Sequence, residues 1–218
     1  MQSNRVGSRE FTEEKEVGKN FTVSDILQVL DSERVFINQS KGGVTFSGGE
    51  PLLQGEFLLE ALMACSENGY HTAVDTSGYS DRNNFAAIMP FTDLFLFDLK
   101  HPDDSMHLKY TGVSNRLIME NFRYIASSGK DIFVRIPIIP GINDDMSHLE
   151  MLRNFIITAG GNSVKKINLL PYHRIGASKY KRFNLTYRAG DIEPPSKERM
   201  TELKSFFSET AIKVKIGG

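Results

Sequence analysis

Among 218 residues there is one cysteine and no tryptophan. A single thiol, Cys65, excludes an internal disulfide. It lies in the helical stretch 57–65, where it reads as a small buried hydrophobe, and nothing near it in sequence would stabilise a thiolate. No apolar run reaches the length of a membrane span, and the opening ten residues, MQSNRVGSRE, do not read as a signal peptide. Neither sign of charge dominates: 26 basic residues face 27 acidic ones, for a net charge of −1. No overall field therefore points to nucleic acid or an anionic membrane surface. The expectation is a cytoplasmic protein with neither nucleic acid nor membrane as a partner. His71, His101, His107 and His148 show no metal-ligand spacing, so no zinc site is readable. Repeats, low-complexity tracts and interdomain linkers are also missing.

What is present is an alternation of helix and strand patterns in a chain of single-domain size. Residues 1–20 are polar, mixed in charge and aperiodic, and read as a tail or the remnant of an upstream segment; residues 21–218 form the domain. Thr22 with Asp25 predicts a capped helix carrying Val23, Ile26, Leu27 and Leu30 on one face. Strands are predicted at 44–46, 71–77, 93–100, 131–139, 164–170 and 211–216. Helices are predicted between them at 56–68, 81–89, 105–110, 115–127, 148–159 and 196–210. The nearly continuous apolar run at 93–100 predicts a sheet covered on both faces. Alternation of this kind implies a mainly parallel α/β sheet with right-handed crossovers. Six strands predict an open, partial barrel rather than a closed one.

Polar or glycine-rich residues stand at five strand tips: Ser47-Gly48-Gly49-Glu50, Asp75-Thr76, Asp98-Leu99-Lys100, Arg135, and Pro171-Tyr172-His173. In parallel α/β folds ligands bind at the C-terminal strand edge, so these tips are expected on one rim. The glycine pair brings bare backbone close to that edge, and Glu50 adds one carboxylate. Such a turn suits a ligand bearing both an ammonium and a carboxylate, as an amino acid does. Asp75 and Asp98 end adjacent strands and need a cation to remain ionised together: a monovalent metal, Lys100 or a ligand ammonium. The plainer alternative has Asp75 capping a turn and Asp98 paired with Lys100. Arg135 interrupts the run Ile132-Phe-Val-Arg-Ile, and a guanidinium inside a barrel requires an anion or carbonyls. His173 would contact a ribose, a base or a sulfonium, or would simply be solvated.

The string Gly-Gly-Val-Thr-Phe-Ser-Gly-Gly-Glu-Pro-Leu-Leu-Gln at 42–54 resembles the GGEP motif of radical S-adenosylmethionine (SAM) enzymes. With His-Thr-Ala-Val-Asp-Thr-Ser-Gly at 71–78, Phe-Asp-Leu-Lys at 97–100 and Thr-Gly-Val-Ser-Asn at 111–115, the chain resembles the glycyl-radical-enzyme activating enzymes. Val134-Arg135, Pro140-Gly141, Leu-Leu-Pro-Tyr-His at 169–173 and Pro-Pro-Ser-Lys-Glu at 194–198 continue the likeness in family order. The resemblance implies a radical SAM partial barrel using SAM and a 4Fe–4S cluster. It further implies a 5′-deoxyadenosyl radical that takes hydrogen from a glycine of a partner such as pyruvate formate-lyase, with flavodoxin or ferredoxin as reductant. By the same resemblance Ser47, Gly48, Gly49 and Glu50 hold the methionyl amine. Asp75, Thr76 and Asp98 lie near the SAM carboxylate, with a monovalent cation at the two acids. Arg135 and His173 line the SAM pocket, and Lys100 faces SAM or the incoming glycyl loop; Lys100 and Arg135 are the catalytic candidates.

One feature departs from the family. Its cluster hangs from a Cys-x3-Cys-x2-Cys loop after a first strand, and this sequence has neither; three thiolates are not available from one cysteine. The expectation is therefore a SAM-binding portion with its first strand missing, inactive alone, with an exposed sheet edge open to homodimer pairing. A cluster-less SAM- or partner-binding module is the first alternative. A cofactor-free barrel enzyme with Lys100 as a Schiff-base nucleophile is the second.

Overall fold

The structure is a computed structural model that describes residues 19–173 and 192–218 and the backbone of 2–6 and 9–13. Six strands make its central sheet: β3 (Val44–Phe46), β4 (Thr72–Thr76), β5 (Leu94–Asp98), β6 (Asp131–Ile138), β7 (Val164–Pro171) and β8 (Lys213–Ile216). Every neighbouring pair is parallel, and the order along the sheet is the order along the chain. A right-handed crossover between each strand and the next places every connecting helix on the same face. A doubly wound sheet needs its strand order to reverse once, and this one never does. The result is the wall of a barrel left open between β3 and β8, as the strand count predicts.

Register shows how that wall is filled. Phe97 is level with Val134, which is level with Ile167, and Ile136 is level with Leu169. All five are fully buried. They pack with Leu62 of α3 (Gly55–Glu67), Phe85 of α4 (Arg82–Ile88) and Phe122 of α6 (Arg116–Ser127). Ile156 of α7 (Met146–Gly160) and Phe207 of α8 (Lys197–Ser208) complete the layer. The rings of Phe97 and Phe122 meet edge to face with centroids 5.4 Å apart, an arrangement worth about 0.5–1.5 kcal/mol beyond area burial.

The alternate residues, Leu94, Leu96 and Phe133, face the barrel interior and are only half-buried. The expectation that β5 is covered on both faces is thus corrected. Helices cover one face, and the other looks into an open interior lined partly by apolar side chains. There the Lys166 ammonium lies 4.2 Å from the Phe133 ring centroid.

Helix starts follow the capping chemistry of the sequence. Thr22 and Asp25 make the reciprocal box at the head of α1 (Val23–Ser32), and Ser196 caps α8 through the Arg199 amide. α2 (Arg34–Ser40) continues from α1. Asp103 caps α5 (Asp104–Thr111). Ahead of α1, β1 (Gln2–Val6) and β2 (Arg9–Glu13) pair antiparallel in a sheet of their own.

Candidate functional site

β3 ends at Phe46, and the chain turns through Gly48 and Gly49 with φ of 104° and 58°. Open space surrounds both α-carbons, so backbone conformation and not crowding selects glycine there. The turn delivers Glu50 to the tip of β4. One of its oxygens accepts from Thr76 Oγ1 at 2.8 Å and from the Leu52 amide at 3.4 Å. The other accepts from the Ser77 amide at 2.8 Å and from Ser77 Oγ at 2.5 Å. A carboxylate offers about four acceptor positions, and all are used. Glu50 therefore staples the glycine turn to β4, and Ser77 is the partner that sequence reasoning passed over.

Beside this staple runs a chain of charged contacts across three strands. Ser47 Oγ donates to Asp75 Oδ2 at 3.1 Å. The Arg135 guanidinium donates to the same oxygen. Arg135 Nε lies 3.4 Å from Asp98 Oδ1, and Lys100 Nζ lies 3.6 Å from Asp98 Oδ2. Exposure of the four charged side chains runs from 20% at Asp75 to 38% at Lys100, so water screens the network only in part. Burial pushes the Asp98 carboxyl above its ordinary value and Asp75 adds to the rise, while Lys100 and Arg135 oppose it. The cation that two neighbouring acids require is here Arg135, and the Asp98–Lys100 pair forms alongside it.

Two asparagines hold the loop that carries Lys100. Asn143 donates to the carbonyls of Lys100 at 2.8 Å and Pro137 at 2.6 Å, and its Oδ1 accepts from the Ile139 amide at 2.7 Å. Asn115 donates to the carbonyls of His101 at 3.1 Å and Pro102 at 2.8 Å. His173 stands just past the end of β7, exposed, and makes no contact with this network among the described residues. Ser47, Glu50, Asp75, Thr76, Asp98, Lys100 and Arg135 are thus brought to one edge of the sheet, with His173 on the same edge but apart. Asn168 of β7, level with Arg135 and 5% exposed, was not among the predicted residues. Its signal is the one that flagged Arg135: a polar residue interrupting the apolar run Ile167-Asn-Leu169.

A family model described as the Radical SAM superfamily matches residues 7–152. The pyruvate formate-lyase-activating enzyme of Clostridium pasteurianum is 38% identical over 192 residues, covering 88% of this chain and 79% of that protein. The chain belongs to the radical SAM superfamily, among the glycyl-radical-enzyme activating enzymes. The trans-4-hydroxy-L-proline dehydratase activating enzyme of Clostridioides difficile is 36% identical, covering 93% of this chain and 67% of that one. A solved domain of pyruvate-formate lyase-activating enzyme from Bacteroides vulgatus superposes with a TM-score of 0.68 at 33% identity, covering 81% of this chain and 99% of that domain.

Radical SAM enzymes use SAM and a 4Fe–4S cluster. The donor set fits the first: a ligand carrying both an ammonium and a carboxylate suits paired acids beside a guanidinium. It does not fit the second. The single thiol, Cys65, is fully buried in α3, and burial pushes its pKa up, away from the thiolate a cluster needs.

Proposed function

We propose that this chain is the SAM-holding part of a glycyl-radical-enzyme activating enzyme, and that alone it binds SAM without reductive cleavage. The observation that carries the reading is the chain Ser47–Asp75–Arg135–Asp98–Lys100 along the C-terminal edge, where parallel sheets take their ligands. Gly48 and Gly49 offer backbone to the methionyl end, and an ammonium reaching Glu50 replaces one of the Ser77 bonds. Asp75 and Asp98 lie toward the SAM carboxylate through a cation between them, with Thr76 alongside. Arg135 fixes the two acids, Lys100 faces SAM or a glycine loop, and His173 closes the outer side. SAM supplies the 5′-deoxyadenosyl group of this reaction class. The partner is a glycyl radical enzyme of the pyruvate formate-lyase kind, with a flavodoxin or ferredoxin reductant in the cytoplasm. β3 pairs with β4 alone among the described residues, so its free edge is the place for a second copy.

Calorimetry with SAM, with anaerobic iron and sulfide reconstitution in parallel, tests the reading. Expected are weak binding, with Kd of about 1 mM, loss of that binding in Arg135→Met, and no stoichiometric cluster. Loading of a full cluster on this chain, or SAM binding indifferent to Arg135→Met, contradicts it.

A further inference from the structure

Among the described residues four asparagines are buried: Asn115, Asn121, Asn143 and Asn168. Three of them hold loops. Asn115 and Asn143 clamp the segment after β5, and Asn121 donates to the carbonyls of Gly78 at 2.9 Å and Ser80 at 2.8 Å. Asn168 clamps no loop among the described residues, and its Oδ1 is buried without a hydrogen-bond partner among them. Its neighbours Ile167 and Leu169 belong to the helix-covered core, so its side chain stands on the opposite, interior face with Arg135 and Lys166. A buried amide oxygen without a hydrogen bond is destabilising, and native structures keep few of them.

Asp98, Arg135 and Asn168 are consecutive register partners across β5, β6 and β7. Asp98 Oδ1 and Arg135 Nε form an ion pair at 3.4 Å. Asn168 therefore stands at the height of that pair, on the face that looks into the barrel, with its own Oδ1 left over among the described residues.

We propose that Asn168 is a further binding residue of this site and that its carboxamide receives the nucleoside end of SAM, an inference that rests on the function proposed above. Orientation follows from charge. The glycine turn and Asp75 at β3 and β4 take the amino-acid end, so the nucleoside runs toward β6 and β7. Strands are about 4.8 Å apart, which puts β7 about 14 Å from β4, a span suited to a nucleoside joined to an amino acid. A carboxamide both donates and accepts, and so can meet the donor and the acceptor of an adenine edge or a ribose hydroxyl, whereas a guanidinium only donates.

The test uses three ligands on the intact chain: SAM, 5′-methylthioadenosine (the nucleoside without the amino acid) and methionine (the amino acid without the nucleoside). Asn168→Leu should weaken SAM and 5′-methylthioadenosine about tenfold each and leave methionine unchanged, with an unchanged or higher melting temperature. Arg135→Met should weaken SAM and methionine. In the wild-type protein, 5′-methylthioadenosine should move the side-chain amide resonance of Asn168, a readout independent of how the variants fold. If that resonance stays still, or Asn168→Leu binds 5′-methylthioadenosine normally while Arg135→Met loses SAM, the Asn168 assignment is overturned and the SAM site stands. If the wild type binds neither SAM nor 5′-methylthioadenosine, both fall.

Discussion

The middle of the sheet and its β3 end are built to different standards. β6 is eight residues long, has a partner on each side, and every second residue is fully buried under helices. β3 is three residues long with one partner, and none of its side chains is fully buried. α1 and α2, which precede it, bury no residue at all. Val35 and Phe36 are 63% and 66% exposed, and Leu53, just past the glycine turn, is 82% exposed. The apolar faces beside β3 thus have no covering layer among the described residues, while those beside β6 do. Folding free energy is therefore concentrated in the β4–β7 half. The glycine turn and Glu50 stand at the boundary, joined to the stable half by hydrogen bonds to Thr76 and Ser77 and by Leu52, which is buried in the core.

Substitutions can break that contrast. The largest effect is expected from Phe97→Ala or Phe122→Ala, which opens the centre of the core and should cost about 3–5 kcal/mol in urea unfolding. Glu50→Gln comes next. It weakens four acceptor contacts at once and should cost about 1–3 kcal/mol, with faster hydrogen exchange in the glycine turn and little change at β6. Thr22→Ala removes half of the α1 capping box and should cost about 1 kcal/mol, visible as fraying of α1 alone. Phe36→Ser should change stability by no more than about 0.5 kcal/mol. A loss there comparable to that of Phe97→Ala would mean the α1–α2 face is packed in solution.

Titration sharpens the same contrast through two groups of the central half, Asp98 and His101, whose pKa values burial shifts. Burial, His148 and His107 hold the His101 imidazole below its ordinary pKa. Its Nδ1 accepts from the Asp103 amide at 3.1 Å, which places the proton on Nε2. The unfolded chain then binds a proton more readily than the folded one. The stability contributed here is present above the unfolded value of 6.5 and is lost as pH falls from there through the lower folded value. His101→Gln should flatten that part of the profile. Asp98 has the opposite sign: its folded pKa lies above the unfolded 3.8, so its contribution falls as pH rises from 3.8 through the folded value. Asp98→Asn should remove that slope in urea melts compared across the acid range.

Much of this arrangement was legible in the chain because it rests on local chemistry. Caps at Thr22 and Ser196, the glycine turn and the strand-ending acids each carry their signal within a few residues. Arg135 was legible because a charge inside an apolar run is too costly to be idle. Asn168 interrupts its own run just as clearly, but an uncharged amide carries a smaller penalty and drew no notice. The double coverage expected for β5 failed because Leu94 and Leu96 line an open interior with the same residue types a buried face would use. The clamp from Asn143 to the Lys100 carbonyl joins residues 43 positions apart, and nothing in either segment announces it.

The most direct test of the central claim, that the polar β-tips and not the exposed α1–α2 face form the ligand site, is a backbone amide shift titration with SAM. The account predicts shifts at Ser47 to Glu50, Asp75 to Ser77, Asp98 to Lys100, Arg135 and Asn168, with α1 and α2 unmoved. Shifts confined to α1, α2 and the groove between Phe21, Val29 and Phe57, with Asp75 and Arg135 silent, would contradict it.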